Sequence, residues 1–77
     1  MPNKVVIQAE MSTEQANALL AQLKADYRMV LTEQWWDDTY RYVPDQDRHT
    51  AIVMHNPVMG AQRRLIGALA YSLKHAK

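Results

Sequence analysis

Residues 12–27 carry the most restrictive pattern in this 77-residue chain, an apolar stripe at helical spacing that follows a capping sequence. Ser12 and Gln15 stand three residues apart, as in a capping box, where each side chain accepts a hydrogen bond from the other residue's backbone N–H. The stripe that follows recurs every three or four residues, which places it on one helical face: Ala16, Leu19, Leu20, Leu23 and Tyr27. We therefore predict a helix over 12–27.

The next nine residues, 28–36, are compatible with two structures. The helical stripe could continue through four further residues without meeting Gly or Pro: Val30, Leu31, Gln34 and Trp35. That would give a helix of about 25 residues, near 37 Å long at about 1.5 Å per residue, which is long for so small a domain. In the alternative, which we prefer, 28–36 is a strand, joined by a turn at Asp37 and Asp38 to a second strand over 39–43.

Two further segments predict strands, and one predicts a helix. Residues 4–11 (KVVIQAEM) alternate apolar and polar side chains, and residues 49–55 (HTAIVMH) form a short apolar run. Asn56 is a favoured N-cap, and Pro57 suits the first helical position, so we predict a helix over 57–75. Its expected buried stripe consists of Val58, Ala61, Leu65, Ala68, Leu69 and Leu73.

The predicted order is β-α-β-β-β-α, or β-α-β-β-α if residues 28–36 extend the first helix. We expect a single α+β domain over residues 1–77, with a small antiparallel or mixed sheet of 3–4 strands and both helices packed on one face. A chain of this length buries only roughly 60% of the surface that its unfolded form exposes. Self-association would compensate for so small a core.

The composition argues against several classes of protein. The chain has no cysteine, which favours a reducing compartment, and we expect it to be cytoplasmic. It has neither a signal-peptide pattern nor an apolar run long enough to span a membrane. No catalytic motif is present, and on a strand His49 and His55 would lie about 20 Å apart. We therefore expect no enzyme activity, cofactor, metal or small-molecule substrate.

The adjacent tryptophans Trp35 and Trp36 give the first candidate site. Neighbouring side chains point to opposite faces of a strand and diverge by about 100° on a helix, so one indole has no place in the chain's own core. On the preferred hairpin, Trp35 pairs with Tyr40 on the apolar face and Trp36 lies on the open face of the sheet. Trp, Tyr and Arg are common anchors of protein interfaces. The expected partner-binding residues are Gln34, Trp36, Thr39 and Arg41.

The second candidate site is the polar face of the helix predicted over 57–75. Residues 48–77 hold five basic residues and no acidic one, whereas residues 1–47 sum to a charge of −4. Two glycines lie on this face, each costing about 0.5–1 kcal/mol relative to alanine within a helix. A closely approaching partner helix or phosphate backbone would explain them. The candidate residues are Gly60, Arg63, Arg64, Gly67, Tyr71 and Lys74.

These features favour a non-enzymatic protein–protein interaction or regulatory module, acting as a homodimer through an exposed Trp/Arg surface of the sheet. On base rates, such a chain is a small bacterial or phage accessory protein. The alternative is a nucleic-acid-binding regulator that contacts phosphates with its basic second helix. The pI of about 8.1 disfavours this alternative, because dedicated binders usually exceed about 9.

Overall fold

The capping box at Ser12 and Gln15 is formed in the computed structural model, which describes residues 3–76. Ser12 Oγ accepts from the Gln15 N–H at 3.0 Å, and Gln15 Oε1 accepts from the Ser12 N–H at 2.9 Å. Four helices follow: α1 (Thr13–Trp35), a 3₁₀ helix (Asp38–Tyr40), α2 (Asp45–His55) and α3 (Pro57–Lys74). Over this part of the chain, every helix is too short or too polar to cross a membrane.

The predicted α+β fold is wrong, because residues 3–76 contain helices and no strand. Segment 28–36 extends the first helix, as the alternative interpretation had it. Neither Gly nor Pro interrupts this stretch, and Val30 and Leu31 on its inner face pack against the core. Segment 39–43 is not a strand either, since it forms the end of the 3₁₀ helix and the turn after it.

The other two predicted strands are also absent. Segment 4–11 has no regular secondary structure, and 49–55 is the second part of α2. A short apolar run is compatible with a strand or with one turn of buried helix. The helix prevails here because only one side of the run meets the core, where the Ile52 side chain is 0% exposed. Asp45 and Asp47 form the first turn of α2, where the helix dipole favours carboxylates.

The second predicted helix is present as α3, but its buried face is only partly the predicted one. Leu69 and Leu73 of the predicted stripe are half-buried, whereas its other members are exposed: Val58, Ala61, Leu65 and Ala68. The half-buried and buried residues that point inwards are Met59, Gln62, Ile66, Leu69 and Leu73. Asn56 does not cap α3 with its side chain, since its Nδ2 donates to the Ile52 carbonyl at 2.6 Å.

Helices α1 and α3 run antiparallel and pack along their length. At one end, Ala16 of α1 lines a recess together with Leu69 and Leu73 of α3. At the other end, α2 and the 3₁₀ helix complete a core of Tyr40, Ile52 and Met59. The well-packed core is therefore at one end of the molecule, where three helices meet.

The molecule is thin and has a larger accessible surface than a compact protein of the same mass. It measures 47 × 32 × 16 Å, with a radius of gyration of 14.8 Å where a compact domain of this length has about 11.5 Å. Its accessible surface is 6641 Å², against about 4,800 Å² for a compact monomer of 8.9 kDa. Each chain thus exposes roughly 1,800 Å² in excess, which association with another copy could cover.

Candidate protein-binding surface

The two tryptophans are separated by the end of α1. Trp35 is the last residue of the helix and packs against the core beside Tyr40. Trp36 follows as the C-cap, and its side chain is 78% exposed. Trp35 is therefore half-buried against the core and Trp36 lies in solvent, so the two indoles diverge as their adjacency predicts. The surface that displays Trp36 is the end of a helix and not the face of a sheet.

Asp37 holds the turn that follows Trp36. Its N–H donates to the Gln34 carbonyl at 3.0 Å, and its carboxylate accepts from the Thr39 N–H at 2.9 Å. Hydrogen bonds from the side chain and backbone of Thr39 lower the pKa of the Asp37 carboxyl below 3.8. Because the pKa of Asp37 is lower in the folded chain than in the unfolded chain, its ionised carboxylate stabilises the turn at pH values above the unfolded-state pKa. This contribution is lost as the pH falls through the folded-state pKa.

Arg48 fixes the end of α1 to α2. Its guanidinium donates to the Val43 carbonyl at 2.9 Å and to the Trp35 carbonyl at 3.3 Å, and lies 5.2 Å from the centre of a Trp35 ring. It also lies 3.6 Å from the Asp45 carboxylate. The sequence analysis gave Arg48 no role, because it lies between the strands predicted over 39–43 and 49–55. The three-residue spacing of Asp45 and Arg48 was the available signal.

A cleft of about 250 Å³ opens beside Trp36, and we call it the Trp36 cleft. It is lined by Trp35, Trp36, Asp37, Asp38, Arg41 and Arg48. Of the four predicted partner-binding residues, the structure brings Trp36 and Arg41 together in this cleft. Thr39 is exposed nearby with its N–H engaged by Asp37, and Gln34 is half-buried. The cleft offers an aromatic plane, a cation and carboxylates within one small surface.

The predicted face of α3 is a separate surface. Gly60 is half-buried, and the other five predicted residues are exposed. Val53, Gly60, Arg63 and Arg64 line a recess that shares no residue with the Trp36 cleft. A Cβ added at Gly60 or Gly67 meets no atom of residues 3–76 within 4 Å. Packing within this part of the chain therefore does not require either glycine.

Substitution Gly67→Ala is expected to stabilise the isolated chain by about 0.5–1 kcal/mol, because alanine loses less backbone entropy in a helix. Thermal unfolding at fixed protein concentration measures this as a rise in Tm of roughly 2–8 °C. The matched control is Ala68→Gly, at an exposed neighbouring position of α3, which should lower Tm by a similar amount. A lower Tm for Gly67→Ala would show that some group approaches this glycine closely.

Each of the three histidines has a neighbouring group of the chain within contact distance. His49 Nε2 lies 2.6 Å from the Tyr27 hydroxyl, and His55 Nδ1 lies 2.8 Å from the Ala51 carbonyl. The His75 ring lies 4.3 Å from the Tyr71 ring, centre to centre. Across residues 3–76, no three His, Cys, Asp or Glu side chains are placed to share a metal ion. The three histidines thus contact neighbouring groups of the chain itself.

Comparisons with protein-family models, with curated proteins and with solved structures found no match for this chain. Two exposed surfaces, the Trp36 cleft and the basic face of α3, are therefore the basis for a functional proposal.

Proposed function

We propose that this chain is a non-enzymatic protein-binding module that acts as a homodimer in the cytoplasm and presents the Trp36 cleft to a partner protein. The observation that carries the proposal is the position of Trp36, 78% exposed on a turn whose backbone is held by Asp37 and Arg48. When a partner protein covers a large aromatic side chain that is held on a rigid turn, the burial of that side chain makes the free energy of binding more favourable.

The cleft is preorganised for binding. Trp35 lines the cleft and is held by the core and by the guanidinium of Arg48. Its side chain therefore loses little conformational entropy when a partner binds. Trp and Arg are the residues most often found at the energetic centres of interfaces. The partner chemistry that fits is an apolar side chain on the Trp36 indole and a carboxylate on Arg41.

The proposal predicts that Trp36→Ala weakens capture of a partner while Met54→Ala does not. Met54 is the matched control, because it is also a large apolar residue, 77% exposed and outside the lining of the cleft. Proteins captured from cell extract by the wild type would be identified, purified and titrated against all three chains. We expect Trp36→Ala to weaken binding at least about 30-fold, the loss of an interface hot spot. Equal affinity for both variants would contradict the role of Trp36.

The homodimer is tested separately by light scattering on the eluting protein. The expected mass is twice 8.9 kDa, because each chain exposes roughly 1,800 Å² in excess. A stable interface needs about 800 Å² from each partner, so the excess is sufficient. A mass of 8.9 kDa throughout a concentration series would contradict the dimer.

Nucleic-acid binding by α3 is the second candidate. Its support is that α3 carries exposed Arg63, Arg64 and Lys74 and no acidic residue. In the described part of the chain the single ion pair joins Arg48 to Asp45, so these cations have no carboxylate partner there. Phosphate contacts would make affinity fall steeply as salt rises.

Fluorescence anisotropy with labelled duplex DNA and single-stranded RNA tests this candidate. The double variant Arg63→Ala/Arg64→Ala should lose binding and flatten the salt dependence. The control Lys24→Ala/Arg28→Ala removes the same charge from exposed positions of α1. If the two double variants bind alike, the α3 face is not a phosphate-binding surface.

A further inference from the structure

Residues 3–11 form an exposed segment that precedes α1 and has no regular secondary structure. Val5, Val6 and Ile7 are 84%, 82% and 73% exposed. Three consecutive β-branched residues with so little burial are unusual on the surface of a monomer. Within residues 3–76, no backbone hydrogen bond involves residues 3–11. Both its side chains and its backbone are thus available to another molecule.

The segment lies alongside α3. Val6 lines a recess with Arg64, and Met11 lines another with Leu73. Arg64 and Leu73 are nine helical residues apart, about 13 Å at about 1.5 Å per residue. Five residues that span about 13 Å rise by roughly 2.7 Å each, which is nearer to the value for a strand than to the value for a helix.

We propose that two copies of the chain pair these segments as an antiparallel ribbon, with the two-fold axis at Ile7. Backbone pairing between copies would satisfy the open N–H and C=O groups of both segments. The ribbon forms between chains only, and the fold of each chain stays helical. This inference rests on the proposed function for the existence of a homodimer, and it adds where the two copies meet.

Charge and side-chain alternation select the register. With Ile7 opposite Ile7 of the second copy, Val5 faces Ala9 and Val6 faces Gln8. Lys4 then faces Glu10, twice in each dimer, and opposite charges across a strand pair are favourable. Moving the axis to Val6 or Gln8 separates Lys4 from Glu10. An axis midway between two residues would pair the odd-numbered residues of one strand with the even-numbered residues of the other. The apolar side chains of one strand would then lie on the same side of the ribbon as the polar side chains of the other.

The ribbon also has a surface to rest on. An isolated two-stranded ribbon is marginal in water, so its apolar face needs support. Ala9 and Met11 already line a recess with Leu69 and Leu73, in the groove between α1 and α3. The roughly 1,800 Å² of excess surface exceeds the about 800 Å² that each partner contributes to a stable interface.

A charge-swap series tests the register by sedimentation equilibrium. Lys4→Glu and Glu10→Lys each place like charges opposite one another at two positions, and each should weaken the dimer roughly tenfold. The double variant Lys4→Glu/Glu10→Lys restores both pairs and should return to within about threefold of wild type. Lys24→Glu, an exposed site on α1, controls for net charge and should have little effect. Additive weakening in the double variant would contradict the pairing.

Cysteine cross-linking locates the axis, since the chain has no native cysteine. Opposed residues of an antiparallel pair have Cα atoms about 4.5–5.5 Å apart, within disulfide range. Ile7→Cys should therefore form a disulfide-linked dimer under mild oxidation. Val5→Cys is the control: it is equally exposed and on the same face, but its two copies lie about 13 Å apart along the ribbon.

Three outcomes separate the ribbon from the proposed function. A dimer in which Ile7→Cys cross-links far faster than Val5→Cys supports the ribbon. A dimer in which both variants cross-link equally, or neither does, overturns the ribbon and leaves the proposed homodimer standing. A chain that is monomeric at every concentration overturns both the ribbon and the homodimer.

Discussion

Substitution Ile52→Ala is expected to destabilise the protein by about 2–5 kcal/mol, the usual cost of truncating a fully buried aliphatic side chain. The Ile52 side chain is 0% exposed and packs with Tyr40 and Met59, where three helices meet. Removing its outer carbons leaves a cavity, and few other residues are buried well enough to compensate. A small domain is stable by only about 5–15 kcal/mol in total, so this loss is a large fraction of its stability.

Urea unfolding followed by circular dichroism measures this effect. Ile52→Val removes one methylene group and should cost only about 0.5–1.5 kcal/mol. Met54→Ala is the matched control, because Met54 lies on the exposed side of the same helix. It should change stability by no more than about 0.5 kcal/mol. If Ile52→Ala and Met54→Ala lowered the free energy of unfolding equally, the orientation of α2 that places Ile52 in the core would be contradicted.

The two tryptophans are expected to differ sharply on substitution. Trp35→Ala should cost about 3 kcal/mol, the low end of the range for buried tryptophan, because Trp35 is half-buried. The change removes contacts with the core and the ring beneath the Arg48 guanidinium. Trp36→Ala should change stability by less than about 0.5 kcal/mol, because its side chain is 78% exposed.

Urea unfolding of both variants at a low and a high protein concentration gives the comparison, and fluorescence of the remaining indole provides a second reading. The single indole of Trp35→Ala should emit at the longer wavelength of a solvated ring, and that of Trp36→Ala at a shorter one. Similar stabilities and similar emission would contradict the placement of one ring inside and one outside. If Trp36→Ala lowers stability only at high protein concentration, Trp36 contributes to the dimer interface.

The candidate site was predictable in part. Adjacency alone requires Trp35 and Trp36 to diverge. That Trp36 is the exposed one follows from the apolar stripe, which continues to Trp35. Arg41 lies in the same cleft because of the turn that Asp37 holds. The sequence analysis predicted a β-hairpin at this position and not this turn. The spacing of Asp45 and Arg48 is compatible with a helical turn, but it does not reveal the other partners of Arg48. Trp35 and Val43 are brought to Arg48 by the meeting of α1 and α2.

The sequence by itself determined where α1 and α3 begin, since the Ser12–Gln15 capping box acts on neighbouring backbone groups and Pro57 suits the first position of a helix. Tertiary structure alone decided that 28–36 continues α1, that 49–55 is helical and which face of α3 is buried. These choices share one physical reason. A short apolar run can be buried as a strand or as a helix, and the difference in free energy comes from the residues it packs against.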